Sequence, residues 1–280
     1  MKYKDWNNEE YIQKLISDYN LDPNEADGLA LINHLAEWEV QPNDLGRDHI
    51  YSDVEIEDGH ITGIYMSEVG YSEIKHLHLF PKLKELELSL TGLQKVENLD
   101  VAENLEYLDI NNNDINKIEG LDKLTKLKFL SFHCCEITEI EGLDYLHNLE
   151  TLFLSTNHIR EIKNLDHLKK LKELHLCWNP ITKIKGLDKL TNLKELWIEF
   201  TSIKDLKGLS NLINLEGLYL GSTEITEIDE LDQLLTKFKN IRHIQIDGLN
   251  ISNGDYELFS EKFKDIKEIR FGKSWFLFNK

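Results

Sequence analysis

The distribution of apolar residues along the chain repeats. Leu83, Leu105, Leu127, Leu149, Leu171, Leu193 and Leu215 are spaced by 22 residues each time, and Ile61 extends the series backwards by one step. Each is followed by apolar residues three, five, ten, thirteen, sixteen and nineteen places on, as in Leu171, Leu174, Leu176, Ile181, Ile184, Leu187 and Leu190. Across eight units all 56 such positions are apolar, counting Tyr71 and Ala102, in a chain that is 41% hydrophobic. A fixed period of this length is the mark of a stacked repeat, in which each unit buries its apolar face only against its neighbours. The fourth and sixth places of a unit point the same way along a short strand and enter the core, while the places between and beside them point out. Neighbouring strands then lie parallel, about 4.8 Å apart.

The unit reads L-x-x-L-x-L-x-x-N-x-I-x-x-I-x-G-L-D-x-L-x-x. It resembles the 22-residue leucine-rich repeat of the phosphatase-regulator (SDS22-like) and internalin types over residues 61–236. The resemblance implies an α/β leucine-rich repeat solenoid. Its curved parallel β-sheet would form the concave face and short helical turns the convex face, with a helical N-terminal cap and an α/β C-terminal cap. The expected division is a helical and hairpin cap over 1–60, eight repeats over 61–236, and an irregular last repeat with its cap over 237–280.

The caps have local signals. NEEYIQKLISDYN and NEADGLALINHLAEW predict two amphipathic helices, each opened by Asn with acidic residues in the first turn. Asp58-Gly59 joins two alternating segments as a hairpin. DYELFSEKFK predicts a helix, KEIRF a last strand, and SWFLF a seal on the final unit. The ninth place, Asn113, Asn157 and Asn179 with Thr91, Cys135, Thr201 and Thr223 elsewhere, is a structural ladder. Asp100, Asp122, Asp144, Asp166, Asp188 and Asp232 form a column after the Gly-Leu step, each expected to open a helical turn rather than to bind calcium.

Positions on the concave face are free of core demands and therefore carry information about function. The third place gives Tyr107, Phe129, Glu173 and Glu195, the fifth Asp109, Phe153, His175, Trp197 and Tyr219, the seventh Glu199, and the eighth Trp178 and Phe200. Aromatic anchors flanked by carboxylates are what a protein-binding surface needs, and Glu173 beside Glu195 in one column invites a cation from a partner. In the resemblance, phosphatase-regulator proteins grip a catalytic subunit with acidic and aromatic concave residues, and Glu195 with Trp197 looks like such a pair.

The stretch LHLCWNP offers a chemical alternative, with His175, Cys177 and Glu199 as metal ligands or Cys177 as a nucleophile beside His175. Surrounding carboxylates oppose thiolate formation, and no hydrolase, zincin or P-loop motif is present. A non-catalytic role with no cofactor is the expectation.

Charge narrows the partner. The net charge is −19, and residues 1–60 hold four Lys and Arg against fifteen Asp and Glu. Such a field repels nucleic acid and anionic lipid and speeds encounter with a basic protein. A cytoplasmic inhibitor or immunity protein that blocks a basic toxin is the alternative form of the same reading. The polar N-terminus, the lack of a long apolar run and only three cysteines point to a reduced, cytoplasmic protein. A monomer is the favoured state, with dimerisation through the concave face as the alternative.

Overall fold

The computed structural model describes residues 16–17, 20–26, 28, 52–68, 70–226, 228–249, 253–263 and 266–270. They fall into two compact units, Met1–Glu136 and Ile137–Lys280.

In the first unit, β1 (Ser52–Glu57) and β2 (His60–Ser67) pair antiparallel. Asp58 and Gly59, with φ of 50° and 79°, make the tight turn between them, the left-handed pair that a two-residue hairpin requires. Then β3 (Glu85–Ser89), β4 (Tyr107–Asp109) and β5 (Phe129–Ser131) add in parallel, with Leu86, Leu108 and Leu130 side by side. The two expected N-terminal helices lie almost wholly outside the described residues. What is described is a helical turn over 23–26, opened by Asp22, whose Oδ1 accepts from the Asn24 N–H at 2.9 Å. Glu25 is buried beside it, taking the Ile61 N–H at 2.6 Å and facing His60 Nδ1 at 2.7 Å, so the turn is fastened to β2.

The second unit holds β6 (Thr151–Phe153), β7 (Glu173–His175), β8 (Glu195–Trp197), β9 (Gly217–Tyr219), β10 (His243–Gln245) and β11 (Glu268–Arg270), all parallel. Up to β9 each strand pairs with the residue 22 places on, as Leu152, Leu174, Leu196 and Leu218 do. Leu218 then pairs with Ile244, a step of 26, and the extra chain forms α1 (Ile228–Leu235). The expected helix in DYELFSEKFK is α2 (Asn253–Lys262), and KEIRF supplies β11. The SWFLF seal lies outside the described residues.

Leu83, Leu105, Leu127, Leu149, Leu171, Leu193 and Leu215 are each at most 1% exposed. Burial of such a side chain stabilises by roughly 1.5–3 kcal/mol. Asn179 shows how the ladder works. Its Nδ2 donates to the carbonyls of Leu154, Leu176 and Cys177, and its Oδ1 accepts the Ile159 N–H at 2.9 Å. Cys135 substitutes through its thiol, which donates to the Ile110 carbonyl at 3.4 Å, and Thr201 donates to the Ile198 carbonyl at 2.8 Å.

On the other side of the strands the chain turns more tightly than a helix. Leu124 N–H bonds to the Leu121 carbonyl at 2.9 Å and Leu190 N–H to that of Leu187 at 2.9 Å. Asp100, Asp122, Asp144, Asp166 and Asp188 each follow the residue whose carbonyl accepts, so Asp122 and Asp188 lie exposed inside a single turn, whereas Asp232 lies within α1. Among the described residues, two such stretches extend to 3-10 helices, Leu77–Leu79 and Lys207–Leu209. No described helix is long and apolar enough to cross a membrane.

Candidate functional site

Strands of three residues leave few positions facing outward, and the stacking of repeats puts equivalent positions next to one another. The candidate residues consequently fall into two groups, one in each unit.

In the first unit Tyr107 and Phe129 are register partners, and their rings stack at 4.3 Å with 9° between planes. Asp109 is 8% exposed and accepts from the Asn111 backbone N–H at 3.0 Å, from Asn111 Nδ2 at 2.9 Å and from the Tyr107 hydroxyl at 3.4 Å. Burial pushes its carboxyl up to about 6, with the Glu87 charge adding to the rise and the hydrogen bonds from Asn111 and Tyr107 opposing it. The Tyr107 phenol is raised by burial and by the charges of Asp109 and Glu87. Asp109 is thus bound into its own unit rather than held open.

The second unit carries four rows. The fifth-place row is a ring ladder: Phe153 on His175 at 3.8 Å, His175 on Trp197 at 5.2 Å, and Trp197 on Tyr219 at 3.5 Å, all within 14° of parallel. Ring faces are largely used up inside the ladder, so that the edges are what it presents outward.

The third-place row sets Glu173 directly beside Glu195 and then Gly217. A Cβ at Gly217 would fall on Glu195 Oε2 and 2.9 Å from the Tyr219 ring, so the missing side chain is what lets that carboxylate lie across β9. Burial raises the Glu195 carboxyl above its ordinary range; the Tyr219 hydroxyl and His243 oppose the rise, and the Glu173 and Glu216 charges add to it.

Gly63 and Tyr65 repeat the device in the first unit, where the Tyr65 hydroxyl donates to Glu85 Oε2 at 2.6 Å. Tyr219 was among the candidate residues of the sequence, but Gly63, Gly217 and Tyr65 were not. The signal was there: glycine in the third place followed by tyrosine in the fifth, at G-I-Y and G-L-Y.

The seventh-place row runs Cys177, Glu199, Gly221, Asp247. Cys177 donates to Glu199 Oε2 at 3.6 Å, and burial together with the Glu199 charge pushes its thiol up to about 12. The His175 Nε2 lies 4.0 Å from Glu173 Oε2. Imidazole and thiol therefore face different carboxylates. Among the described residues no three His, Cys, Asp or Glu side chains are grouped to hold a metal ion.

In the eighth-place row Thr156, Trp178, Phe200 and Ser222 have positive φ, 58°, 57°, 54° and 56°, as Glu68, Leu90, Asn112 and Cys134 do in the first unit, so the left-handed backbone belongs to the turn of the repeat. What differs is the side chains it carries. Trp178 stacks on Phe200 at 3.9 Å and 11°, yet remains 56% exposed. Its neighbour on the other side, Thr156, has no ring to cover the second indole face.

Comparison with known proteins agrees with this geometry. A family model described as "Leucine-rich repeat" matches residues 73–185, and one described as "Leucine Rich repeats (2 copies)" matches residues 169–211. Internalin C2 of Listeria monocytogenes is 23% identical with a TM-score of 0.59, the match covering 76% of this chain and 81% of that one. TLR13, solved in complex with ssRNA13, is 21% identical with a TM-score of 0.62 over 69% of this chain and 29% of its own. The Leptospira interrogans LRR protein LIC12759 is 24% identical with a TM-score of 0.54, over 70% of this chain and 62% of its own. No curated protein sequence matches the chain. At these identities the likeness establishes the fold, and since 428 solved chains share it, the fold alone selects no partner.

Proposed function

Because this chain is a leucine-rich repeat protein, we propose that it is a non-catalytic module that binds a partner protein through the outward strand residues of its second unit. The observation that carries the reading is Trp178, 56% exposed and stacked on Phe200. An indole that keeps one face in water is suited to anchoring a partner.

The pattern of charge supports a basic partner. Along the borders of this unit, glutamates are matched to lysines: Lys163 with Glu139, Lys172 with Glu150, Lys194 with Glu216. In the row beside the ring ladder, Glu173 and Glu195 have no Lys or Arg within ion-pair reach among the described residues. A cationic group from outside would relieve that crowding and would raise the association rate at low salt. The RNA bound to TLR13 is not carried over, since a net charge of −19 opposes a phosphate backbone. On the same reading the protein works in the cytoplasm, where the free thiols Cys134, Cys135 and Cys177 stay reduced.

The test is affinity capture at low and high salt, comparing the wild type with a Trp178→Ala, Glu173→Lys double variant shown by circular dichroism to be folded. One dominant protein, lost with the variant and weakened by salt, is the expected result. Equal capture by both forms refutes the assignment, as does a wild-type homodimer that the variant breaks in sedimentation.

A further inference from the structure

The third-place row of the second unit continues past Glu195. In register it runs Glu173, Glu195, Gly217, His243 and Glu268, one residue from each of β7 to β11. Equivalent positions of parallel strands face the same side, so these side chains share one surface. Gly217 contributes none, and Glu195 fills the gap, with its Oε2 lying where a Cβ of Gly217 would stand. The carboxylate is therefore over β9, and the next strand, about 4.8 Å on, carries His243. On its other side His243 meets a second carboxylate, its Nδ1 3.1 Å from Glu268 Oε2. An imidazole thus stands between two carboxylates in the row proposed to meet the partner. Neither His243 nor Glu268 was among the candidate residues of the sequence.

Imidazole is the side chain whose charge ordinarily changes near neutral pH. Of the charges that act on Glu195, those of Glu173 and Glu216 are negative and that of His243 is positive. With its proton, His243 therefore supplies the counter-charge that the row otherwise lacks. Glu195 Oε2 is buried and accepts no hydrogen bond among the described residues, so it is an atom for which such a charge matters. Without the proton, Glu173 and Glu195 are left as neighbouring like charges. The other charged groups that face His243 are Glu216, just before β9, Glu268 from β11, and Arg242 beside it in the chain. Arg242 is directed to Glu216, Nη1 to Oε2 at 3.8 Å, and Lys194 reaches the other oxygen of that carboxylate at 2.7 Å. Those two cations are thus engaged at the border of the sheet, and the imidazole is left facing Glu195 along its own row.

We propose that His243 is the proton switch of the partner-binding row: protonated, it engages Glu195 in place of the partner's cationic group, and on losing its proton it yields that carboxylate to the partner. This rests on the assignment of Glu173 and Glu195 to partner binding. Proton and partner then compete, so affinity for a basic partner rises with pH through the histidine range, and by linkage the bound partner expels a proton. Protonation of Glu195 itself weakens binding in the same direction, so a variant lacking only the imidazole is needed to separate the two.

The test is calorimetric binding of a hexalysine peptide at pH 5.5 and pH 8, at one ionic strength, to the wild type, His243→Gln and Glu195→Gln. The His243 side chain is 31% exposed, so glutamine there leaves the core intact. The wild type is expected to bind about fivefold more tightly at pH 8 than at pH 5.5, and His243→Gln to lose most of that ratio. A ratio that His243→Gln retains, while Glu195→Gln weakens binding at pH 8, overturns the switch and leaves the partner-binding assignment standing. Equal binding by Glu195→Gln and the wild type at pH 8 removes Glu195 from cation binding and overturns both. NMR of the chain alone gives a second readout. The ring resonances of His243, assigned by their absence from His243→Gln, are expected to titrate at lower pH in Glu195→Gln than in the wild type, and an unmoved titration overturns the proposal.

Discussion

Replacement of Asn179 measures how much one ladder residue contributes to the unit that carries the candidate site. Its side chain is 2% exposed and holds one N–H and three carbonyls from two adjacent repeats. The amide has only two hydrogens, so the three carbonyl contacts amount to two bonds, and the Ile159 N–H makes a third. At about 1 kcal/mol net for each, Asn179→Ala is expected to lower the unfolding free energy by about 3 kcal/mol. Asn179→Thr should lower it by about 2 kcal/mol, since a hydroxyl there restores one bond in the way Thr201 donates to the Ile198 carbonyl.

Asn179→Asp keeps the acceptor for Ile159 but turns a carboxylate toward three carbonyl oxygens. It should be the worst of the three at pH 7. The folded state would hold the new carboxyl protonated to a higher pH than the unfolded chain does. Stability is then lost as pH rises through the unfolded and then the folded value, and is regained on acidification. Equilibrium urea unfolding, followed by circular dichroism and tryptophan fluorescence at constant m-value, reads all three. A loss below about 1 kcal/mol for the alanine variant, or a larger loss for threonine than for alanine, refutes the ladder account.

Two further outcomes follow from the perturbed groups. With its thiol pushed up to about 12, Cys177 in a Cys134→Ser, Cys135→Thr background should alkylate with iodoacetamide at pH 8.5 at least about a hundredfold more slowly folded than in urea. Glu199→Gln should narrow that gap, and a fast native reaction would revive the nucleophile reading. Asp109, raised by burial from 3.8 to about 6, binds its proton more tightly folded than unfolded, so it contributes a loss of stability as pH rises from about 4 to 6. Two units correspond to at most about 3 kcal/mol. The slope should flatten in Asp109→Asn, and a carboxyl shift titrating near 4 in NMR would contradict it.

Legibility in the sequence followed the range of the interactions. The repeat, the hairpin at Asp58-Gly59, the ladder at Asn113, Asn157 and Asn179, and the helix and strand in the last fifty residues were all readable. The side chains that form the ring ladder were placed in the correct column. That they would spend their faces on one another was not readable, because each contact joins residues 22 apart through the exact lateral fit of two strands. The aspartate column was expected to open helical turns; Asp100, Asp122, Asp144, Asp166 and Asp188 sit within single i to i+3 turns, since buried leucines every three residues on the convex side hold the chain in that tighter turn, and Asp232 alone of the column lies in a helix.

The sequence by itself determined the period, the parallel stacking, and which residues enter the core, because burial every 22 residues can be met by one local geometry repeated along a line. Only the tertiary structure decided the character of the outward residues. It stacked Trp178 on Phe200, laid Glu195 over Gly217, and turned Glu199 and Asp247 toward Gly221. The physical reason is that an outward side chain has no packing rule of its own. Its conformation is settled by what the adjacent strand leaves open, and a glycine on that strand registers only once the register is known.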